Sequence, residues 1–309
     1  MESETALILE IKGNSLDDGP GIRTVVFFKG CPLNCVWCHN PESKKATIEL
    51  SWDSKECIGC LRCKDVCPHD AINPQSGDFI NRSMCTLCFA CVEVCPSGAM
   101  SIVGKTMTVD EIMQYVLKDK PFFDTSGGGV TLSGGEPLLN IHFASKLLQT
   151  LKANGISTLV ETSGYFHWDT FESRIAPFTD IVYYDIKLID DDEHKTYCGV
   201  SNVRILENFK KLVDYSREKG MTLVPRIPLV PGITATEHNL MGIAAFLREC
   251  GVNTVELLRY NPLWPEKCKK IGMPDASIDR KLTQWMPPEE YEYCKQLVSK
   301  SGLQMSLVV

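Results

Sequence analysis

Eleven of the 15 cysteines in this 309-residue chain lie between Cys31 and Cys95. A stretch so rich in thiols must gather them, either in disulfides or around metal. The odd total disfavours complete pairing, and a chain of this length can build a large apolar core in one or two domains without covalent staples. The opening residues Met1-Glu2-Ser3-Glu4 are acidic and lack the basic region that begins a signal peptide. No apolar run reaches the ~18 residues that span a bilayer. These features predict a cytoplasmic protein, in a compartment where thiols stay reduced and clustered cysteines signify metal or redox chemistry. The formal net charge is −7 with no long basic run, which leaves no electrostatic footprint for nucleic acid or an anionic membrane.

The eleven cysteines form three groups: Cys31-x3-Cys35-x2-Cys38, Cys57-x2-Cys60-x2-Cys63-x3-Cys67-Pro68 and Cys85-x2-Cys88-x2-Cys91-x3-Cys95-Pro96. The second and third are an internal repeat. Each cysteine recurs 28 positions later, and Pro68-His69-Asp70-Ala71-Ile72 is matched by Pro96-Ser97-Gly98-Ala99-Met100. Three thiolates in C-x2-C-x2-C wrap three corners of an iron–sulfur cube, and the fourth cysteine of the run reaches across to the other cube. That exchange assigns one [4Fe-4S] cluster to Cys57, Cys60, Cys63 and Cys95, and another to Cys67, Cys85, Cys88 and Cys91. Four thiolates also suit zinc, but a doubled run closed each time by Cys-Pro is that of a bacterial-type two-cluster ferredoxin. The chain thus divides into a ferredoxin-like insert over 53–103 and a discontinuous domain over 1–52 and 104–309. The first group has three cysteines and no fourth close by in sequence. It fits a cube with one iron open to a non-protein ligand, and also an incomplete zinc site; cysteine count does not choose. Cys198, Cys250, Cys268 and Cys294 are isolated, as small buried hydrophobes are.

Outside the insert, apolar stretches near 5–11, 24–28, 156–160, 180–186, 221–227, 252–258 and 303–309 alternate with helical patterns near 108–118, 140–153, 202–219, 236–250 and 287–301. Thr108-Val109-Asp110-Glu111 and Pro287-Pro288-Glu289-Glu290 carry helix-start signals. Gly155, Gly220, Gly251 and Gly302 stand where helices end before strands. The alternation predicts the α/β class, with a parallel sheet wrapped by helices.

The first cysteine group sits inside a longer signature. Asp18-Gly19-Pro20-Gly21-Ile22-Arg23, Phe27-Phe28-Lys29-Gly30-Cys31, and the cysteine loop with Trp37 before its last cysteine and His39-Asn40 after it closely resemble the glycyl-radical-enzyme activating enzymes. These are a branch of the radical S-adenosylmethionine (SAM) superfamily. In chain order, Ser133-Gly134-Gly135-Glu136-Pro137 resembles the family's glycine-rich SAM motif, Glu161-Thr162-Ser163-Gly164 its acidic strand end, and Asp185-Ile186-Lys187 its Asp-x-Lys. Gly199-Val200-Ser201-Asn202, the segment from Arg226 to Gly232, and Glu256-Leu257-Leu258 continue the match. The resemblance covers essentially the whole chain, and the insert points to the larger members. It implies a partial (β/α)6 TIM-type barrel carrying the ferredoxin-like insert, with ligands at the C-terminal strand ends. Two positions depart from the pattern: Glu161 replaces the more usual Asp, and Asn261 stands where a SAM-contacting histidine is usual.

By that resemblance, Cys31, Cys35 and Cys38 hold the catalytic [4Fe-4S] cluster, whose open iron takes the amino and carboxylate groups of SAM. Gly134 and Gly135 allow close backbone approach, and Glu136 accepts from the SAM amino group. Lys187 and Arg226 pair with its carboxylate or nearby oxygens. Asp185 and Glu161, with backbone near Thr162 and Tyr183, resemble a monovalent-cation site. Trp37 packs on the adenine, and Asn261 can hydrogen-bond ribose or adenine. Taken singly, each of these also reads as a surface charge, a loop acid or a packed ring. The implied reaction is reductive cleavage of SAM to methionine and a 5′-deoxyadenosyl radical. That radical takes a hydrogen atom from a backbone glycine of a partner glycyl radical enzyme, an eliminase or dehydratase such as a diol or hydroxyproline dehydratase. An external low-potential donor such as flavodoxin or ferredoxin supplies the electron, the two insert clusters relay it or shape docking, and the protein is expected to be a monomer. An electron carrier, a radical SAM enzyme for a small molecule and an adaptor with vestigial clusters are the competing readings. The first leaves the SAM motifs idle, and the second does not account for the Asp18–Arg23 segment.

Overall fold

The computed structural model describes residues 4–76, 78–273 and 280–306. The end of the predicted strand over 303–309 lies outside the described residues. The chain opens with β1 (Thr5–Ser15) and β2 (Arg23–Phe28). The cysteine-rich middle holds β3 (Glu49–Trp52), the one-turn helices α1 (Arg62–Asp65) and α2 (Ala90–Glu93), and β4 (Met100–Val103). β5 (Lys105–Thr108) leads into α3 (Val109–Ser126), followed by β6 (Gly129–Gly134), α4 (Ile141–Ala153), β7 (Ser157–Thr162), α5 (Trp168–Arg174) and β8 (Ile181–Asp185). Then come α6 (Asp191–Cys198), α7 (Val203–Lys219), β9 (Thr222–Leu229), α8 (Glu237–Glu249), β10 (Thr254–Arg259), α9 (Trp264–Lys270), α10 (Pro288–Lys300) and β11 (Gln304–Met305).

Nine strands form one mixed sheet in the linear order β11-β10-β9-β8-β7-β6-β2-β1-β5. Neighbours from β2 to β11 are parallel, and β1 runs antiparallel to both β2 and β5. Parallel neighbours need a crossover, which the helices between these strands provide. In β7 the consecutive residues Leu159 and Val160 are both fully buried, so this strand is covered on its two faces. The edge strand β5 was not predicted, because four residues are too few to show a period. Helix α3 starts at the predicted place. Thr108 Oγ1 accepts from the Glu111 N–H at 3.2 Å, and the Glu111 carboxylate accepts from the Thr108 N–H at 2.7 Å. It runs past its predicted end and through Pro121, whose missing N–H leaves only the carbonyl of exposed Leu117 unmatched in the helix, while Phe123 beyond it is buried.

The middle segment has its own small core of Leu50, Ile72, Phe79, Ile80 and Met100 with Cys63 and Cys91. β3 and β4 pair antiparallel across its base, from Glu49↔Val103 to Trp52↔Met100. Trp52 stacks on Phe79 with ring centroids 4.1 Å apart. Arg82 ties this unit to α9, donating to the carbonyls of Leu50 at 2.6 Å and Lys270 at 3.2 Å.

Candidate functional site

The C-terminal ends of β2, β6, β7, β8, β9 and β10 surround one cavity of about 450 Å³, a size ordinary for a small-molecule site. Its walls include Cys31, Cys35, Cys38, Trp37, Gly134, Gly135, Glu161, Asp185, Lys187, Arg226 and Asn261. Residues up to 230 positions apart in sequence thus share one wall (Cys31 to Asn261).

The cysteine loop leaves β2 through Gly30 and is fastened at its base. Gly30 N–H donates to Ser43 O at 2.6 Å and Cys31 N–H to Lys44 O at 3.0 Å. The Lys44 ammonium donates to Cys35 O at 2.8 Å and Asn34 Oδ1 at 2.9 Å. Burial pushes the Cys31 thiol up to about 12 and the Cys38 thiol to about 11. Cys35 is drawn down to about 7 by a hydrogen bond from Cys198, against burial and with help from the charges of Lys187 and Lys44. As free thiols, Cys31 and Cys38 are therefore protonated at neutral pH, and a metal binding there must displace their protons.

Beside the loop, the end of β6 lies almost on the end of β2. Gly135 N–H donates to Phe28 O and Glu136 N–H to Gly30 O, both at 2.8 Å. The Glu136 carboxylate is 1% exposed and is not part of the cavity wall. It accepts from Ser163 N–H at 2.8 Å, Ser163 O–H at 2.6 Å and Thr162 O–H at 3.0 Å. Burial pushes its pKa up. In this structure Glu136 joins β6 to the end of β7, with its donors supplied by the protein.

Across the cavity the charged residues pair with one another. Arg226 Nη1 donates to Glu161 Oε1 at 2.7 Å and its Nε to Asp185 Oδ1 at 3.0 Å. Lys187 Nζ donates to Asp185 Oδ2 at 2.9 Å, and Ser133 Oγ donates to Glu161. The Arg226 guanidinium also lies over the Tyr183 ring, 4.8 Å from its centroid. Burial pushes the Asp185 carboxyl up, but the neighbouring charges of Lys187 and Arg226 outweigh it and hold the group below the ordinary carboxylate value. Parallel register explains the grouping, since Asp185 on β8 is paired directly with Arg226 on β9. Asn261 follows β10 at the cavity wall, and its Oδ1 accepts from Leu263 N–H at 3.1 Å.

Several wall residues were given no role from sequence, among them His39, Ser133, Ser163, Val230 and Tyr260. The first four lie inside the quoted motifs and Tyr260 stands two residues after Glu256-Leu257-Leu258, which is the signal that marks them. Cys198 is a different case. It is not near the loop in sequence, yet the fold brings its side chain to Cys35. Conversely, the Asp18–Arg23 segment of the signature stands at the opposite end of the sheet. The Arg23 side chain is fully buried and donates to Thr131 Oγ1 and Val130 O, each at 2.8 Å, and to Ser157 O at 3.2 Å, tying the starts of β2, β6 and β7 together.

In the middle segment one small cavity is lined by Cys57, Cys60, Cys63 and Cys95, and a second by Cys67, Cys85, Cys88 and Cys91. The 28-residue repeat is also conformational. Left-handed backbone recurs at Gly59 and Leu87, at Leu61 and Phe89, and at Asp70 and Gly98. Among the described residues no three His, Cys, Asp or Glu side chains converge closely enough to hold a single metal ion.

The model of the radical SAM superfamily matches residues 25–242. The isethionate sulfite-lyase activating enzyme of Oleidesulfovibrio alaskensis is 43% identical over 269 residues, which cover 85% of this chain and 86% of that protein. The trans-4-hydroxy-L-proline dehydratase activating enzyme of Clostridioides difficile is 40% identical, covering 86% and 87%. The pyruvate formate-lyase 2-activating enzyme of Escherichia coli is 35% identical, covering 98% and 93%. A crystal structure of a radical SAM methyltransferase from Sphaerobacter thermophilus shares the fold, with a TM-score of 0.54 at 14% identity over 97% of this chain and 76% of that one. The chain therefore belongs to the radical SAM superfamily, among the activating enzymes of glycyl radical enzymes.

Proposed function

We propose that this activating enzyme is a partial (β/α)6 TIM-type barrel with a two-cluster ferredoxin insert over 53–103, and that it holds three [4Fe-4S] clusters. The cavity at the strand ends is the observation that carries the proposal, because it joins three soft thiols, a glycine-edged strand end and a charged wall in one space. Cys31, Cys35 and Cys38 would hold the catalytic cluster, with SAM on its open iron. Bound there, the pair supplies reductive C–S cleavage and the radical that oxidises the partner's glycine. The chain's own residues orient the ligands and exclude water. Gly134 and Gly135 present bare backbone to the ligand. Lys187 and Arg226 keep positive charge beside its carboxylate while Asp185 and Glu161 hold them in place. A monovalent cation at Glu161 and Asp185 would have to share these carboxylates with Arg226, which spans both.

The two smaller cavities support an exchanged ligand set for the insert, one cluster on Cys57, Cys60, Cys63 and Cys95 and the other on Cys67, Cys85, Cys88 and Cys91. Thiolates around a cube each bind their own iron, so they stand wider apart than four converging on one zinc. These clusters would relay an electron from flavodoxin or ferredoxin to the cavity of a monomeric enzyme.

A sulfite-lyase and a dehydratase both expel a leaving group, and activators of such enzymes are among the relatives. That supports an eliminase or dehydratase as the partner. The test is anaerobic reconstitution followed by reduction with SAM and a candidate partner, isethionate sulfite-lyase or hydroxyproline dehydratase. Formation of 5′-deoxyadenosine and a glycyl-radical resonance on the partner is expected. Full iron content with 5′-deoxyadenosine but no radical on either partner would reject this partner class.

A further inference from the structure

We propose that Cys198 is a positioning residue of the Cys31–Cys35–Cys38 cluster, its thiol donating a hydrogen bond to the sulfur of Cys35. This rests on the reading of Cys35 as a cluster ligand. Cys198 ends α6, is fully buried and does not line the cavity, so it acts through Cys35 and not on the substrate. Its side chain and that of Cys35 are neighbours.

The backbone makes this contact a fixed one. Asn34 N–H donates to Cys198 O at 2.8 Å and Val36 N–H to Tyr197 O at 3.0 Å, so the residues on both sides of Cys35 are tied to the last turn of α6. The helix stops there at Gly199, in left-handed conformation with φ 83°. A Cβ on Gly199 would stand 3.2 Å from the Asn34 Cβ, so the turn and the cysteine loop are in contact. Lys44 grips the same stretch through Asn34 Oδ1 and Cys35 O. Cys31 and Cys38 are met instead by backbone groups, of Leu33 and Asn40.

The direction of the bond follows from chemistry. A metal-bound cysteine is a thiolate without a proton, so Cys198 is the donor and its buried S–H has an acceptor. A donor on a ligand sulfur stabilises the more negative, reduced cluster and raises its potential. Oxygen is a better donor than sulfur, so serine at 198 keeps the interaction and alanine deletes it.

The experiment uses the full chain, reconstituted anaerobically, as wild type, Cys198→Ala and Cys198→Ser. Iron and sulfide are measured, and the reduced cluster whose paramagnetic signal changes on adding SAM is followed through a potentiometric titration. Cys198→Ala is expected to keep its iron and to lower the reduced-to-oxidised ratio at fixed potential at least threefold, about 28 mV for a one-electron centre. Cys198→Ser is expected to restore the wild-type midpoint or exceed it. An unchanged midpoint in Cys198→Ala, or a serine variant that behaves like alanine, overturns the inference. If alanine loses iron, retention by serine supports the hydrogen bond, and loss in both overturns it. A wild-type protein with no SAM-responsive signal refutes the reading of Cys35 itself, and so separates that failure from this one.

Discussion

At Gly134 one added methyl group decides whether the cavity can form. A Cβ there would stand 2.4 Å from both the nitrogen and the oxygen of Phe28, and φ is 109°. Backbone cannot withdraw as a flexible side chain can, so Gly134→Ala is expected to cost about 3 kcal/mol or more. Anaerobic urea denaturation reads that loss, and SAM binding should disappear with it. The charged wall is equally intolerant. Arg226→Met leaves Glu161 and Asp185 mostly buried without their shared partner, a change worth about 3–5 kcal/mol. A variant that unfolds at the wild-type urea concentration would contradict the pairing described. The same network has a pH signature. The folded Asp185 carboxyl titrates below its ordinary value of 3.8. Its contribution is therefore complete above that pH and disappears as acid passes through the lower folded value. Asp185→Asn should flatten the acid limb of stability against pH, and an unchanged limb would assign acid sensitivity elsewhere.

Among the elements, the short helices α1 and α2 of the cysteine-rich middle segment are held by geometry that propensity alone would not choose. Leu87 adopts φ 57° where its repeat mate Gly59 adopts 69°. Left-handed backbone costs a non-glycine residue about 1–2 kcal/mol, and Leu87 is exposed and does not line the cysteine cavity. Leu87→Gly should therefore raise stability slightly, by up to ~1 kcal/mol after the entropy of glycine is subtracted, read as a higher denaturation midpoint. A drop would mean the leucine packs on something the repeat does not share. Helix α3 offers the ordinary case. Removing its cap with Thr108→Ala should lose about 1 kcal/mol in a thermal melt. The cap was legible in sequence because both partners lie within four residues. The length of α3 was not, because Pro121 masks a continuation that the burial of Phe123 sustains.

In the molecule as a whole, the main core, which takes in the loop of Cys31, Cys35 and Cys38, and the core of the middle segment are separate apolar clusters. Oxygen should bleach the iron–sulfur absorbance while the far-ultraviolet circular dichroism of the sheet and its helices, whose core is mostly aliphatic and aromatic, persists; simultaneous loss would show that the clusters support the sheet. The sequence determined the alternation of strands and helices, the three cysteine groups and the motifs at the strand ends. These are short-range patterns, and chain periodicity or ligand spacing constrains them directly. Which distant side chains meet follows from the fold. It joined Glu136 to Thr162 and Ser163, paired Arg226 with Glu161 and Asp185, sent Arg23 to the opposite end of the sheet and brought Cys198 to Cys35. Those meetings depend on sheet order, strand register and the last turn of a helix. Such long-range contacts leave no repeat in the chain, so an isolated cysteine and a cluster-tuning cysteine look alike until the fold sets them beside different neighbours.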